Sequence, residues 1–184
     1  SMKKNTPEQT AALWISNIFS PPIIGGALIL AYAGRIASSR TEFWYWGGLA
    51  TLTAIIIPSL VVLGGFLIGK YSNLHLDNKN DRFWPLFIAV LGSALSIWIL
   101  MRSNAPRHYI ILMISVLMNE IVFTMITLGW KISIHTSTIT SACVASIYLF
   151  GWQAVVSLAL IPLVMWSRLF RKKHTVAQAL AGII

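Results

Sequence analysis

Apolar residues fill the chain in long blocks, and polar residues are confined to the short gaps between them. No Asp, Glu, Lys or Arg occurs in residues 11–34, 43–69, 83–101 or 132–167. A block of about 20 apolar residues crosses a bilayer as a helix, the form that satisfies every backbone polar group within its own segment. The block at 132–167 holds 36 residues, too many for one crossing, and is expected to fold back near Phe150-Gly151. The pattern predicts helices over 9–33, 43–70, 83–101, 107–130, 136–150 and 152–168, with a further apolar segment opening near Thr175. The expected fold class is all-α: a polytopic, multi-pass integral membrane helical bundle of about six transmembrane helices. Residues 1–184 are expected to form a single transmembrane domain.

Ser1-Met2 reads as a remnant of expression and is set aside. The polar start, the length of the first apolar run and its Pro21-Pro22 favour a retained span over a cleaved signal peptide. Gly25-Gly26, Gly47-Gly48 and Gly64-Gly65 read as points of close helix contact, because small residues let backbones approach in a membrane. Phe43-Trp44-Tyr45-Trp46 and Phe83-Trp84 read as aromatic belts at the membrane interface.

Composition agrees with the blocks: 57% of residues are hydrophobic and 10% charged, against about a quarter charged in soluble domains. Several function classes drop out. The single cysteine, Cys143, excludes an intrachain disulfide framework. Neither a Cys/His cluster with zinc spacing nor a Gly-rich phosphate loop is present. No soluble module is available, and nucleic acid is not an expected partner.

Charge adds a second pattern. If each predicted helix crosses the membrane, the N-terminus and the loops at 71–82, 131–135 and 168–174 share one face. That face collects ten of the fourteen Lys and Arg residues. Positive residues gather on the cytoplasmic side for topological reasons alone, so the count is explained by topology as well as by function. Setting aside Lys79, Arg82, Lys131 and Arg168 as candidate phosphate ligands leaves six against four, which decides no orientation. The histidines sharpen the picture. His135 stands in the uncharged stretch that follows Lys131, and His174 ends the cationic run Arg171-Lys172-Lys173. Imidazole suits nucleophilic and acid–base work near neutral pH, and Arg and Lys suit a phosphate headgroup. His75 and His108 read as interfacial. Glu120, about 15 Å along the helix from Lys131, falls inside the hydrocarbon and reads as a protonated, hydrogen-bonded carboxyl.

Three segments carry a resemblance. Ser167-Arg168, separated by five residues from His174, has the SRxxxxxH spacing of the third signature motif of the type 2 phosphatidic acid phosphatase family, which falls in the histidine phosphatase and vanadium haloperoxidase-like superfamily. Ile132-Ser133-Ile134-His135 resembles that family's second motif, Pro-Ser-Gly-His, in its Ser and His. Lys79-Asn80-Asp81-Arg82-Phe83-Trp84-Pro85 resembles a shortened first motif. The likeness spans a phosphatase-like core at about 71–184.

The resemblance implies a membrane-embedded lipid phosphatase that needs no metal and no cofactor. His174 would attack phosphorus and become a phosphohistidine. His135 would protonate the leaving oxygen. Lys79, Arg82 and Arg168 would hold the phosphate oxygens, and Ser133 would add a hydrogen bond. Such chemistry rests on positioning and charge, which three cations can supply. The substrate class is a lipid phosphate or diphosphate, such as polyprenyl diphosphate, phosphatidate or phosphatidylglycerol phosphate. The lack of a soluble part to read an elaborate headgroup favours the first. Two departures stand out: Gln178 occupies the position where the family usually has an Asp that orients the nucleophile, and the Pro and Gly of the second motif are missing. Gln178 is expected to orient His174 through its amide oxygen. Asp77, Asp81 or Glu120 would supply the missing charge only if the fold brought one close.

Two other readings stay open. One is a lipid-phosphate-binding or transport protein without turnover. The other is a polyprenyltransferase, which needs paired Asp-rich motifs for magnesium diphosphate, whereas Asp77 and Asp81 form a single pair.

Overall fold

The computed structural model describes residues 6–183, apart from the side chain of Lys79. The chain is all-α: α1 (Pro7–Ile18), α2 (Pro21–Ile36), α3 (Arg40–Leu67), α4 (Phe83–Arg102), α5 (Arg107–Gly129), α6 (Ile134–Phe150), α7 (Trp152–Phe170) and α8 (Val176–Leu180). Of these, α3, α4, α5 and α7 are each long and apolar enough to cross a membrane, and a fifth span is made if α1 and α2 count together. Large apolar side chains face outward along them: Leu67 is 73% exposed and Val156 78%. A soluble protein does not present its hydrophobic residues in this way over whole helices, and the fold has membrane character.

Two of the expected spans differ in detail. The helix expected over 9–33 is broken, and α1 and α2 are bent by 44°. The cause is Pro21-Pro22. The residue before a proline is pushed out of the helical region, and proline itself fits best in a first turn. Ser20 therefore ends one helix and starts the next: its N–H donates to Asn17 C=O, and its own C=O accepts from Ile24 N–H. The other difference is α6. Its 17 residues rise only about 26 Å, short of the roughly 30 Å of a hydrocarbon core.

Helix ends follow local chemistry. Thr6 caps α1 with a capping box closed by Gln9. After α3 comes Gly69 in the left-handed region (φ 72°), where Lys70 N–H reaches back to Gly65 C=O at 2.8 Å. This is the chain reversal that glycine favours at a helix C-terminus. Asn104 (φ 55°) does the same after α4. The fold-back expected near Phe150-Gly151 is made by Gly151 (φ 81°). Of the paired glycines, Gly47 makes a close contact, since a Cβ there would stand 2.6 Å from the Ala33 Cβ, whereas Gly64 has nothing within 4 Å.

The chain divides into two compact units. The first combines residues 1–25 with 131–184, and the second holds 26–130. In the first unit, Ile139 and Cys143 of α6 and Val164 of α7 form the buried centre, with Ile15, Phe19 and Ile161 packed around it. In the second, Tyr109 is fully buried, and its hydroxyl lies 3.4 Å from the Trp46 carbonyl oxygen. Thr53 and Ser96 join α3 to α4 through a 2.6 Å hydroxyl–hydroxyl bond.

Candidate functional site

The first unit contains Ser133, His135, Arg168, His174 and Gln178. All but Gln178 are buried: Ser133 and Arg168 completely, His135 to 5% exposure and His174 to 8%. Burying so many polar groups is costly unless a network satisfies them, and the local backbone supplies one.

At the start of α6, Ser133 is extended (φ −83°, ψ 101°) and serves as the N-cap. Its Oγ accepts from Thr136 N–H (3.3 Å) and from the Thr136 hydroxyl (2.9 Å). Both lone pairs are thereby used, which leaves the Ser133 hydroxyl its proton to donate. His135 is the second helical residue and so lies in the first turn of α6.

At the end of α7 the chain reverses. Lys173 N–H donates to Arg168 C=O at 3.0 Å and Lys172 N–H to Leu169 C=O at 2.9 Å. This paired bonding is the Schellman closure of a helix. Its left-handed residue is Lys172 (φ 53°), where glycine is the usual occupant. The closure ties Lys173 to Arg168 and delivers His174 one residue later. Thr175 then caps α8: its Oγ1 accepts from Gln178 N–H at 3.3 Å, and the Gln178 Oε1 accepts from Thr175 N–H at 3.1 Å.

A backbone hydrogen bond joins the two histidine segments. Ser133 N–H donates to Gln178 C=O at 3.1 Å. His135 lies two residues after this donor, and His174 lies four residues before this acceptor. Gly182 completes the approach. A Cβ there would stand 2.8 Å from the Ser133 carbonyl oxygen and 3.1 Å from the Thr136 Cβ, so only glycine lets the segment after α8 lie against the start of α6.

Arg168 is held from the other side by α1. Its Nη1 donates to Ser16 Oγ at 3.1 Å. Ser16 and Ser167 share a 2.8 Å hydroxyl bond, and Ser167 Oγ donates to Ala12 C=O at 2.7 Å. The resemblance starts far downstream of α1, and the sequence assigns that helix no role. The available signal was faint: a serine within the charge-free run 11–34.

The remaining candidates lie in the second unit. Arg82 is buried at the start of α4, and its Nε donates to Leu76 C=O at 2.7 Å. Burial lowers the guanidinium's hold on its proton, and the neighbouring Asp77 charge opposes that effect. Lys79 lies in the short turn Lys79–Asp81, and its side chain is outside the described residues. Asp81 accepts from Ser72 N–H and from the Ser72 hydroxyl. Glu120 lies within α5, and the Ser93 hydroxyl of α4 lies beside its carboxyl. In the first unit the only acidic side chain is Glu8, on the outside of α1, against Lys131, Arg168, Arg171, Lys172 and Lys173 among the described cations. That balance suits an anion. Among the described residues no three His, Cys, Asp or Glu side chains gather as metal ligands.

No family model, characterised protein or solved structure matches the chain.

Proposed function

We propose that the protein is a multi-pass membrane phosphatase acting on a lipid phosphate or diphosphate through a phosphohistidine. The observation that carries this reading is the tying together of the two histidine segments by the Ser133–Gln178 bond, inside a unit whose buried cation is Arg168. The spacing of Arg168 and His174 supports it from the sequence. Lys79 and Arg82 enter from the sequence alone, through their order and residue types.

In this reading the His174 imidazole donates its electron pair to phosphorus as the bond to the lipid oxygen breaks. His135 gives that oxygen a proton, and the lipid alcohol or monophosphate leaves. A water then attacks the phosphohistidine, losing a proton to His135, and inorganic phosphate departs from a regenerated His174. Arg168 and the Ser133 hydroxyl stabilise charge on the non-bridging oxygens, where a preorganised donor is worth most.

The test uses the full chain in detergent with EDTA present, offered polyprenyl diphosphate, phosphatidate and phosphatidylglycerol phosphate. Phosphate release and an acid-labile, base-stable phosphoprotein are expected, both lost in His174→Ala. Turnover that survives His174→Ala unchanged refutes the mechanism.

One observation favours a second reading, lipid-phosphate binding without turnover. The Gln178 amide oxygen, expected to orient His174, is engaged at Thr175 N–H, and no carboxylate other than Glu8 belongs to the first unit. Saturable binding of the same lipids with no phosphate release from any of them would select it.

A further inference from the structure

We propose that Ser16 of α1 is a positioning residue for Arg168, so that the N-terminal helix completes the phosphate-binding arrangement. The proposal rests on the reading of Arg168 as a phosphate ligand.

The direction of the hydrogen bonds carries the inference. Ser167 has one hydroxyl proton, and that proton goes to Ala12 C=O at 2.7 Å. In the 2.8 Å contact between the two serines, Ser16 must therefore be the donor. With its proton committed, Ser16 Oγ turns a lone pair to the guanidinium and accepts from Arg168 Nη1 at 3.1 Å. The result is a one-way chain from Arg168 through Ser16 and Ser167 to the Ala12 carbonyl. Ser16, Ser167, Arg168 and Ala12 are all fully buried. A buried serine in a helix ordinarily donates back to the carbonyl four residues earlier, which for Ser16 is Ala12. Ser167 occupies that carbonyl instead and keeps Ser16 facing Arg168.

The consequence is functional as well as structural. A guanidinium presents its donors as a rigid planar fork. Fixing one nitrogen fixes the plane and the direction in which the other donors lie. Arginine loses considerable side-chain freedom on being ordered; here α1 meets that loss before any phosphate arrives, and preorganisation of this kind raises affinity. The resemblance to the phosphatase family covers only the downstream part of the chain, and the serine that orients its arginine comes from the opposite end of the sequence.

The experiment compares wild type, Ser16→Ala, Ser16→Cys and Val164→Ala, each as the full chain in detergent. Inorganic phosphate and orthovanadate are titrated calorimetrically, kcat and KM are measured on the hydrolysed lipid, and melting temperature is recorded for each protein. Alanine nearly matches the volume of serine and lacks the acceptor, whereas cysteine keeps a polar atom, larger than oxygen, that accepts hydrogen bonds only weakly. Both therefore remove the contact to Arg168, alanine with little change in packing. Val164 lies in the core of the same unit and serves as a stability control. Ser16→Ala and Ser16→Cys should each weaken phosphate and vanadate binding by about tenfold or more, the scale of a lost hydrogen bond to a charged group. KM should rise with it. Val164→Ala should lower the melting temperature while phosphate affinity stays within about twofold of wild type. Wild-type phosphate binding that persists in both Ser16 variants overturns the inference and leaves the phosphatase reading intact. A wild type that binds phosphate but hydrolyses no lipid overturns that reading, while the titrations still decide the role of Ser16. A wild type that binds neither anion overturns both.

Discussion

Gly182→Ala adds a single methyl group at the point where the two histidine segments meet. The new Cβ would stand 2.8 Å from the Ser133 carbonyl oxygen, 3.1 Å from the Thr136 Cβ and 3.2 Å from the Ala179 carbonyl oxygen. Unstrained carbon contacts sit at about 3.5–4.0 Å. Two of the three neighbours are backbone atoms, which cannot rotate aside. The turn after α8 must therefore back away from the start of α6, which opens the 3.1 Å bond from Ser133 N–H to Gln178 C=O. Overpacking costs about 1–3 kcal/mol and the weakened hydrogen bond about 1 kcal/mol more. At about 2–4 °C per kcal/mol for a chain of this size, the melting temperature should fall by roughly 5–15 °C. Turnover on a lipid phosphate should fall further than stability alone implies, by about tenfold or more, because small misplacements of reacting groups are expensive. The assay pairs thermal unfolding in detergent with phosphate release at a temperature where both proteins are folded. A Gly182→Ala protein that melts with wild type and turns over at the same rate would refute the claim that this contact holds the two segments together.

Other substitutions probe the same geometry. Lys172→Gly removes a left-handed non-glycine residue from the closure of α7 and should raise stability by about 1 kcal/mol, read as a higher melting temperature. Gln178→Ala breaks the capping box of α8 and should cost roughly 0.5–1 kcal/mol. Gln178→Glu keeps the box, adds negative charge at a helix start, and should match or exceed wild type in both melting temperature and turnover. Asp77→Asn removes the charge that offsets the desolvation of buried Arg82 and should destabilise the protein by about 1–3 kcal/mol, measured by thermal or denaturant unfolding.

Much of the fold was legible because its causes are local. Charge-free blocks marked the helices, and Gly151 marked the fold-back. The break between α1 and α2 was also written locally, in Pro21-Pro22, although hydropathy carried one helix across it. Lys172 gave no such mark, since nothing in a lysine announces a left-handed backbone. The reversal after α7 is instead imposed by the two hydrogen bonds to Leu169 and Arg168. The resemblance makes Gln178 an orienting group for His174. The structure uses its amide oxygen at Thr175 N–H, because a helix start needs its exposed donors satisfied.

The sequence by itself determined that this chain is all-α, rich in membrane-length apolar helices, and carries Arg168, His174, Ser133 and His135 at telling spacings. Periodicity, turn residues and charge act over a few residues, and a linear reading captures them. Tertiary structure alone decided that residues 1–25 join 131–184, that Ser16 faces Arg168, and that Gly182 lies against Ser133. Those contacts link positions far apart in the chain, and they are selected by burial and hydrogen-bond satisfaction in three dimensions, which no local pattern encodes.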